Sequence, residues 1–181
     1  MVKRILACAI MMFVVGCAKG GGDAGASATA TPSAEAEAKF IVNEGPETAQ
    51  PFEVKSALAR TDAAHHALKV YLANFELNQE WLALPVDEKM TEDGQIYIMM
   101  SIPGESGKKL AEMIPTGDNK IKFLEIYRLQ GNSVKKTFLD RDNHQGGIKI
   151  TEMTENLLKA SLDVSDEDGV KVQGDFTANR V

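Results

Sequence analysis

From Phe40 to Val181, apolar residues recur at alternate positions in short runs broken by turn-forming residues. This spacing limits the fold more than any other feature, because period two sends alternate side chains to opposite faces of an extended strand. Val54, Ser56 and Leu58 alternate with Lys55, Ala57 and Ala59, and Leu68, Val70 and Leu72 with Lys69, Tyr71 and Ala73. Gln95 to Ile102 and Ile121 to Gln130 are more continuously apolar, through Ile96 to Met100 and through Phe123, Leu124, Ile126 and Tyr127. Loss of strict alternation predicts burial on both faces there. Val134 to Leu139, Ile148 to Met153, Leu157 to Val164 and Val170 to Ala178 read as further strands. Turn-rich spacers separate them at Gln130 to Ser133, Asn143 to Gly147 and Thr154 to Asn156. The expectation is a mainly β domain, an antiparallel meander closed as a β-sandwich or barrel, with one or two short helices or ordered loops. Glu76 to Met90 reads as a short helix or ordered loop, and Lys108 to Pro115 fits either a short helix or a strand.

The last hairpin is predicted to the residue. Leu158, Ala160, Leu162 and Val164 share one face of their strand, and Val170, Val172, Gly174 and Phe176 share one face of the next. Residues directly opposite in a hairpin point to the same side. A two-residue turn at Asp168-Gly169 would pair Val164 with Gln173 and mix the faces. A three-residue loop, Glu167-Asp168-Gly169, pairs Val164 with Val172 and matches all the apolar residues; a five-residue loop would also keep parity. The three-residue form calls for a type I turn followed by Gly169 in the left-handed conformation, a G1 bulge.

The first seventeen residues carry a different signal. Lys3 and Arg4 precede an uninterrupted apolar stretch from Ile5 to Val15. As a helix, those residues span only about 16 Å, against a bilayer core of about 30 Å. A short positive region, a short apolar region and small residues at its end form an export signal. The tetrapeptide Val14-Val15-Gly16-Cys17 resembles the lipobox of bacterial lipoproteins. The resemblance implies that residues 1–16 are a signal peptide cleaved before Cys17. It also implies that Cys17 carries a thioether-linked diacylglycerol, usually with an acylated amino group. Several acyl chains on one residue hold a protein to a membrane stably, since each buried CH₂ contributes about 0.8 kcal/mol. Ala18 stands where an Asp resembles an inner-membrane retention signal in Gram-negative bacteria, so the same resemblance favours outer-membrane sorting in such a source.

Residues 17–39 then hold the lipidated Cys and a flexible linker. Of the 22 residues from Ala18 to Lys39, 17 are Ala, Gly, Ser, Thr or Pro, with no apolar periodicity to bury. As a flexible coil the linker reaches roughly 25 Å. Residues 40–181 form the β-rich domain, 142 residues long enough for a sizeable core.

Removing Lys3 and Arg4 takes Lys+Arg from 20 to 18 against 26 Asp+Glu, a net charge of −8. An acidic chain with no clustered basic face argues against nucleic acid as a partner and against docking on anionic lipid. Cleavage also removes Cys8, so Cys17 is the sole remaining Cys and the domain has no disulfide, thiolate nucleophile or Cys-based metal site.

The weak candidates for chemistry are few. Asp140, Asp142 and His144 stand at alternate positions, so on an extended chain three metal-ligand types share a face. The segment begins like a Ca²⁺ loop but places Gln145 where the turn needs Gly and Thr151 at the bidentate Glu position. It reads better as a polar turn. His65 and His66 are adjacent and point apart on a strand; they suit a hairpin turn between Arg60 and Leu68. Trp81, the one Trp, is either a ligand-stacking platform or, more simply, a plug at an open end of the sandwich or barrel. Tyr71, Tyr97 and Tyr127 read as residues at the core edge, and Met90, Met99, Met100, Met113 and Met153 as packing. Asp163, Asp166, Glu167 and Asp168 form an acidic hairpin tip. No nucleophile-elbow Ser and no phosphate-cradling Gly motif is present.

The leading expectation is a lipid-anchored cell-envelope protein with a non-enzymatic β-domain, acting as an interaction or small-ligand binding module without a cofactor. The alternatives are a metal-assisted envelope hydrolase using Asp140, Asp142 and His144, and an assembly subunit that pairs through a strand edge.

Overall fold

The final hairpin is built as its parity requires. In the computed structural model, β10 (Leu157–Asp166) and β11 (Val170–Arg180) pair with Leu158 opposite Ala178, Ala160 opposite Phe176 and Val164 opposite Val172. Gly169 has φ 85°, and the Val170 amide donates to the Asp166 carboxylate at 2.8 Å, closing the turn. The structure describes residues 39–44, 50–104 and 114–181. The signal peptide, Cys17, the linker as far as Ala38, and Lys108 to Met113 lie outside the described residues.

Two antiparallel meanders make the sheet. In the first, β3 (Ser56–Asp62), β4 (Ala67–Ala73), β5 (Ile96–Pro103), β7 (Phe123–Gln130) and β8 (Ser133–Asp140) lie side by side in that order. In the second, β6 (Gly117–Asn119) pairs with β9 (His144–Met153), which pairs with β10 and so with β11. β11 joins the two. Its first half pairs with β1 (Lys39–Glu44), which carries β2 (Gln50–Glu53) beyond it. Its last residues, Asn179 and Arg180, run parallel to Leu58 and Ala59 of β3. That contact is the single parallel pairing among the described strands; every other pair is antiparallel.

One contiguous core takes residues from both meanders, so the sheet folds over on itself in the manner of a sandwich. Leu68, Val70, Leu72, Ile98, Met100, Ile102, Leu124, Ile126 and Leu139 meet Ile148, Ile150, Leu158, Leu162, Val164, Val172 and Phe176 there. Phe40 and Phe52 close it with Phe176, the rings 5.9 and 6.1 Å apart by centroid. β6 and β8, the outer strands of the two meanders, do not pair with each other among the described residues, so the ladder is not a closed barrel.

Where the pattern and the strands differ, a local cause is visible. Gly146 and Gly147, expected in a turn, lie inside β9 opposite Val164 and Asp163. A Cβ at Gly146 would run into the Asp163 carbonyl oxygen, and one at Gly147 into that of Asn119, so this strand stretch accepts only Gly. β1, β2 and β6 are too short to show a period. The hairpin turn between Arg60 and Leu68 is present, with His65 accommodated on it: its ring nitrogen meets the Asp62 carboxylate at 2.9 Å.

Candidate functional site

The strands β5 and β7 are buried on both faces, as their continuous apolar runs predict, and β4, which reads as an alternating strand, is buried on both faces as well because Tyr71 and Ala73 enter a second cluster. Leu68, Val70 and Leu72 of β4, Ile96, Ile98, Met100 and Ile102 of β5, and Leu124 and Ile126 of β7 fill the main core; Tyr71, Ala73, Tyr97 and Leu129 fill a second apolar cluster on the opposite face. Register brings the three tyrosines together. Tyr97 stands directly opposite Tyr127, and Tyr71 is its diagonal neighbour across Ala73 and Met99. Ring centroids are 6.2 Å apart for Tyr71 and Tyr97 and 5.9 Å for Tyr97 and Tyr127. Three strands thus present a tyrosine row where sequence reading places separate core-edge residues.

A cover lies over part of this row. Phe75 to Met90 leaves the end of β4 and returns to β5, through a 3-10 turn (Glu80–Ala83) and one turn of helix, α1 (Val86–Lys89). Asn78 opens the 3-10 turn, its side-chain oxygen accepting from the Trp81 amide at 3.0 Å. Pro85 separates the turn from α1, since its ring cannot continue a preceding helix. Gln95 secures the return, its side-chain oxygen accepting from the amides of Thr91 and Glu92 at 2.7 and 3.2 Å. Phe75, Leu77, Leu82 and Met90 are the residues that insert into the second cluster.

Trp81 is therefore not the plug. It is 36 % exposed, and none of the ring pairs found among the described residues includes it. In a 3-10 turn with neighbours pointing apart, Leu82 takes the inward position and Trp81 the outward one. The expectation of a plug fails on that alternation.

The unexpected inward residue is Lys89. It is only 5 % exposed, and its Nζ lies 5.1 Å from the centroid of the Tyr97 ring. It has no carboxylate or hydrogen-bond partner among the described residues. Burial pulls the Lys89 ammonium below its ordinary pKa. Tyr97 is 1 % exposed, and its hydroxyl has no partner either. Burial pushes the Tyr97 phenol well above its ordinary range, and burial likewise raises Tyr71. The only sequence signal for Lys89 is its spacing of three from Val86, which puts both on one side of a helical turn.

Beside this pair, a third polar group is satisfied. Glu125 is buried on β7 and accepts from the Tyr127 hydroxyl and from Lys136 Nζ, each at 2.6 Å. Burial and then the bond to Glu125 raise Tyr127, and the same carboxylate raises Lys136. Lys136 also lies over the rings of Tyr127 and Phe138, at 5.4 and 5.3 Å. Phe138 is 47 % exposed on β8 and stacks against Phe123, so the aromatic row continues to the strand edge.

Asp140, Asp142 and His144 build a corner instead of a ligand set. The turn after β8 carries the chain from one meander to the other. The Asn143 side-chain oxygen accepts from the Asp140 amide at 2.6 Å, and the Asp140 carboxylate accepts from the Arg141 amide at 2.7 Å. The His144 ring nitrogen lies 2.6 Å from the Asp140 carbonyl oxygen. Among the described residues no three of His, Cys, Asp or Glu come together in a way that could hold a metal ion. At the acidic tip, Asp166 caps the Val170 amide and Asp163 lies 4.0 Å from Lys171.

No protein family, curated protein or solved structure matches this chain.

Proposed function

We propose that the chain is a lipid-anchored protein of the cell envelope whose β-domain acts by binding, with the tyrosine face of β4, β5 and β7 as its binding face. One observation carries the second half of this reading. The Tyr97 hydroxyl is held in an apolar layer without a partner, beneath the Lys89 side chain, at a cost to folding that an apolar side chain would avoid. Such conflicts between local rules concentrate at functional sites. The first half rests on Cys17 after its short apolar run and on the featureless spacer that follows. A lipid on Cys17 and a spacer reaching roughly 25 Å would carry the domain clear of the headgroups.

The test is native mass spectrometry of the protein extracted from its own envelope in mild detergent. The expected result is a non-covalent companion in addition to the acylated chain. A bare chain, under conditions that keep a control complex intact, contradicts the reading.

A second reading, assembly through a strand edge, is favoured by β8. It pairs only with β7 among the described strands and exposes Phe138. Lys135 and Lys136 on the same strand oppose indiscriminate pairing. Under this reading the companion is another protein chain and Phe138→Asp removes it.

A further inference from the structure

We infer that residues 78–90, within the cover, form a lid over the tyrosine row that swings open as one unit on a clamped base. Its role as a gate rests on the tyrosine face being the binding face.

Hydrogen bonding separates the lid from the sheet. The amides of Trp81, Leu82, Leu84, Glu88 and Met90 donate to the carbonyl oxygens of Asn78, Gln79, Trp81, Pro85 and Val86, at 3.0 to 3.2 Å. Each of these bonds stays inside the lid, and among the described residues none joins it to a strand. The base is fixed instead. Just past β4, the Asn74 side chain donates to the Gly94 carbonyl at 3.1 Å and accepts from the Ile96 amide at 2.7 Å. Exit from β4 and return to β5 are thereby tied together, and motion is confined to the residues between them.

Side chains alone hold the lid down, and its closed state carries a cost. Leu82, Met90 and half-buried Val86 pack in the second cluster. In the same cluster the Tyr97 hydroxyl is buried without a partner, and Lys89, itself buried, packs over the Tyr97 ring. Opening returns both groups to water, which offsets part of the apolar area it exposes. One 3-10 turn and one turn of helix draw little stability from their own hydrogen bonds. The strands beneath, β4 and β5, are buried on both faces and paired along both edges. Opening the lid therefore costs less than opening the sheet.

The test is amide hydrogen exchange of the full acylated chain in mild detergent, read by mass spectrometry on peptides covering the lid, β4 and β5. In the wild type the lid amides are expected to exchange at least about a hundred-fold faster than those of the two strands. Tyr97→Phe removes the unpartnered hydroxyl from β5, outside the lid, and should slow exchange across the whole lid by about five-fold or more. Lys89→Met should slow it by about five-fold. Lid amides as protected as those of β4 and β5 would mean that the lid opens only with the sheet. Lid exchange unchanged in both variants would mean that it frays without uncovering Tyr97. Either result overturns the proposal. If the lid fails this test and native mass spectrometry still finds a companion, only the lid falls; if the lid passes and no companion is found, the lid stands and the binding-face reading falls.

Discussion

Lys89 lies across the Tyr97 ring, its Nζ 5.1 Å from the centroid, with both residues buried and the Tyr97 hydroxyl without a polar partner. A cation over an aromatic face is attracted to it, by about 2 kcal/mol when desolvated. Removing an ammonium from water costs several kcal/mol. The contact therefore offsets only part of the cost, and Lys89 weakens the fold. Lys89→Met should raise the unfolding free energy by about 1 kcal/mol, because an apolar side chain of similar length replaces an uncompensated charge. Chemical denaturation at neutral pH checks this. The sign with pH also follows. The folded-state pKa lies below the unfolded one, so the penalty is fully present below the folded value and shrinks as pH rises through it toward the unfolded value of about 10.4. The gain from Lys89→Met should narrow accordingly in alkaline solution.

Asp62 shows the opposite linkage. Lys69 Nζ at 2.7 Å and the His65 ring nitrogen at 2.9 Å hold its carboxyl far below the usual carboxylate range. The folded pKa is depressed, so the contribution is present above the unfolded value and lost as pH falls below about 4. Asp62→Asn should cost roughly 1 kcal/mol from pH 6 to 8, the scale of a well-formed surface ion pair. Thermal melts of wild type and variant should converge as pH is lowered toward 2.

Gly146 and Gly94 separate backbone strain from collision. Both have positive φ, 83° and 81°. A Cβ at Gly94 meets open space, whereas one at Gly146 runs into the Asp163 carbonyl. Gly94→Ala should cost about 1 kcal/mol through conformation alone. Gly146→Ala should cost a further 1–3 kcal/mol or so, because β9 must shift away from β10. Equal losses in denaturant titrations would remove the close-approach explanation.

The final hairpin gives an order of effects. Phe176 is 3 % exposed and packs on Phe40, so Phe176→Ala should cost about 3–5 kcal/mol. Gly169→Val forces a β-branched residue to φ 85° and should cost roughly 1–2 kcal/mol. Lys171 is exposed, 4.0 Å from Asp163, and Lys171→Ala should change little. A Lys171 loss as large as that of Phe176 would contradict the face assignment.

These particulars show what alternation can and cannot convey. The β10–β11 register was legible because parity, turn length and Gly169 all demanded one solution. Burial of β5 and β7 on both faces was legible from Ile96 to Met100 and from Phe123 to Tyr127, whereas that of β4 was not, because Lys69 makes its run read as alternating. The parallel contact of Asn179 and Arg180 with β3 was not legible, since two residues leave no pattern. Gly146-Gly147 reads as a turn by composition, and only the approach of Asp163 and Asn119 explains it. The tyrosine row depends on the register of three strands at once, which no single segment encodes. Lys89 was hidden for a related reason: charge suggests exposure, and one helical turn is too short to show a face.

The central claim, that this β-domain is held at a membrane by lipid on Cys17, is tested most directly by metabolic labelling with a clickable palmitate analogue. Cells producing the wild type and Cys17→Ser are labelled, lysed and separated into membrane and soluble fractions. The account predicts label on the wild type in the membrane fraction and none on Cys17→Ser, which cannot form the thioether. Equal label on both chains, or an unlabelled wild type, would contradict it.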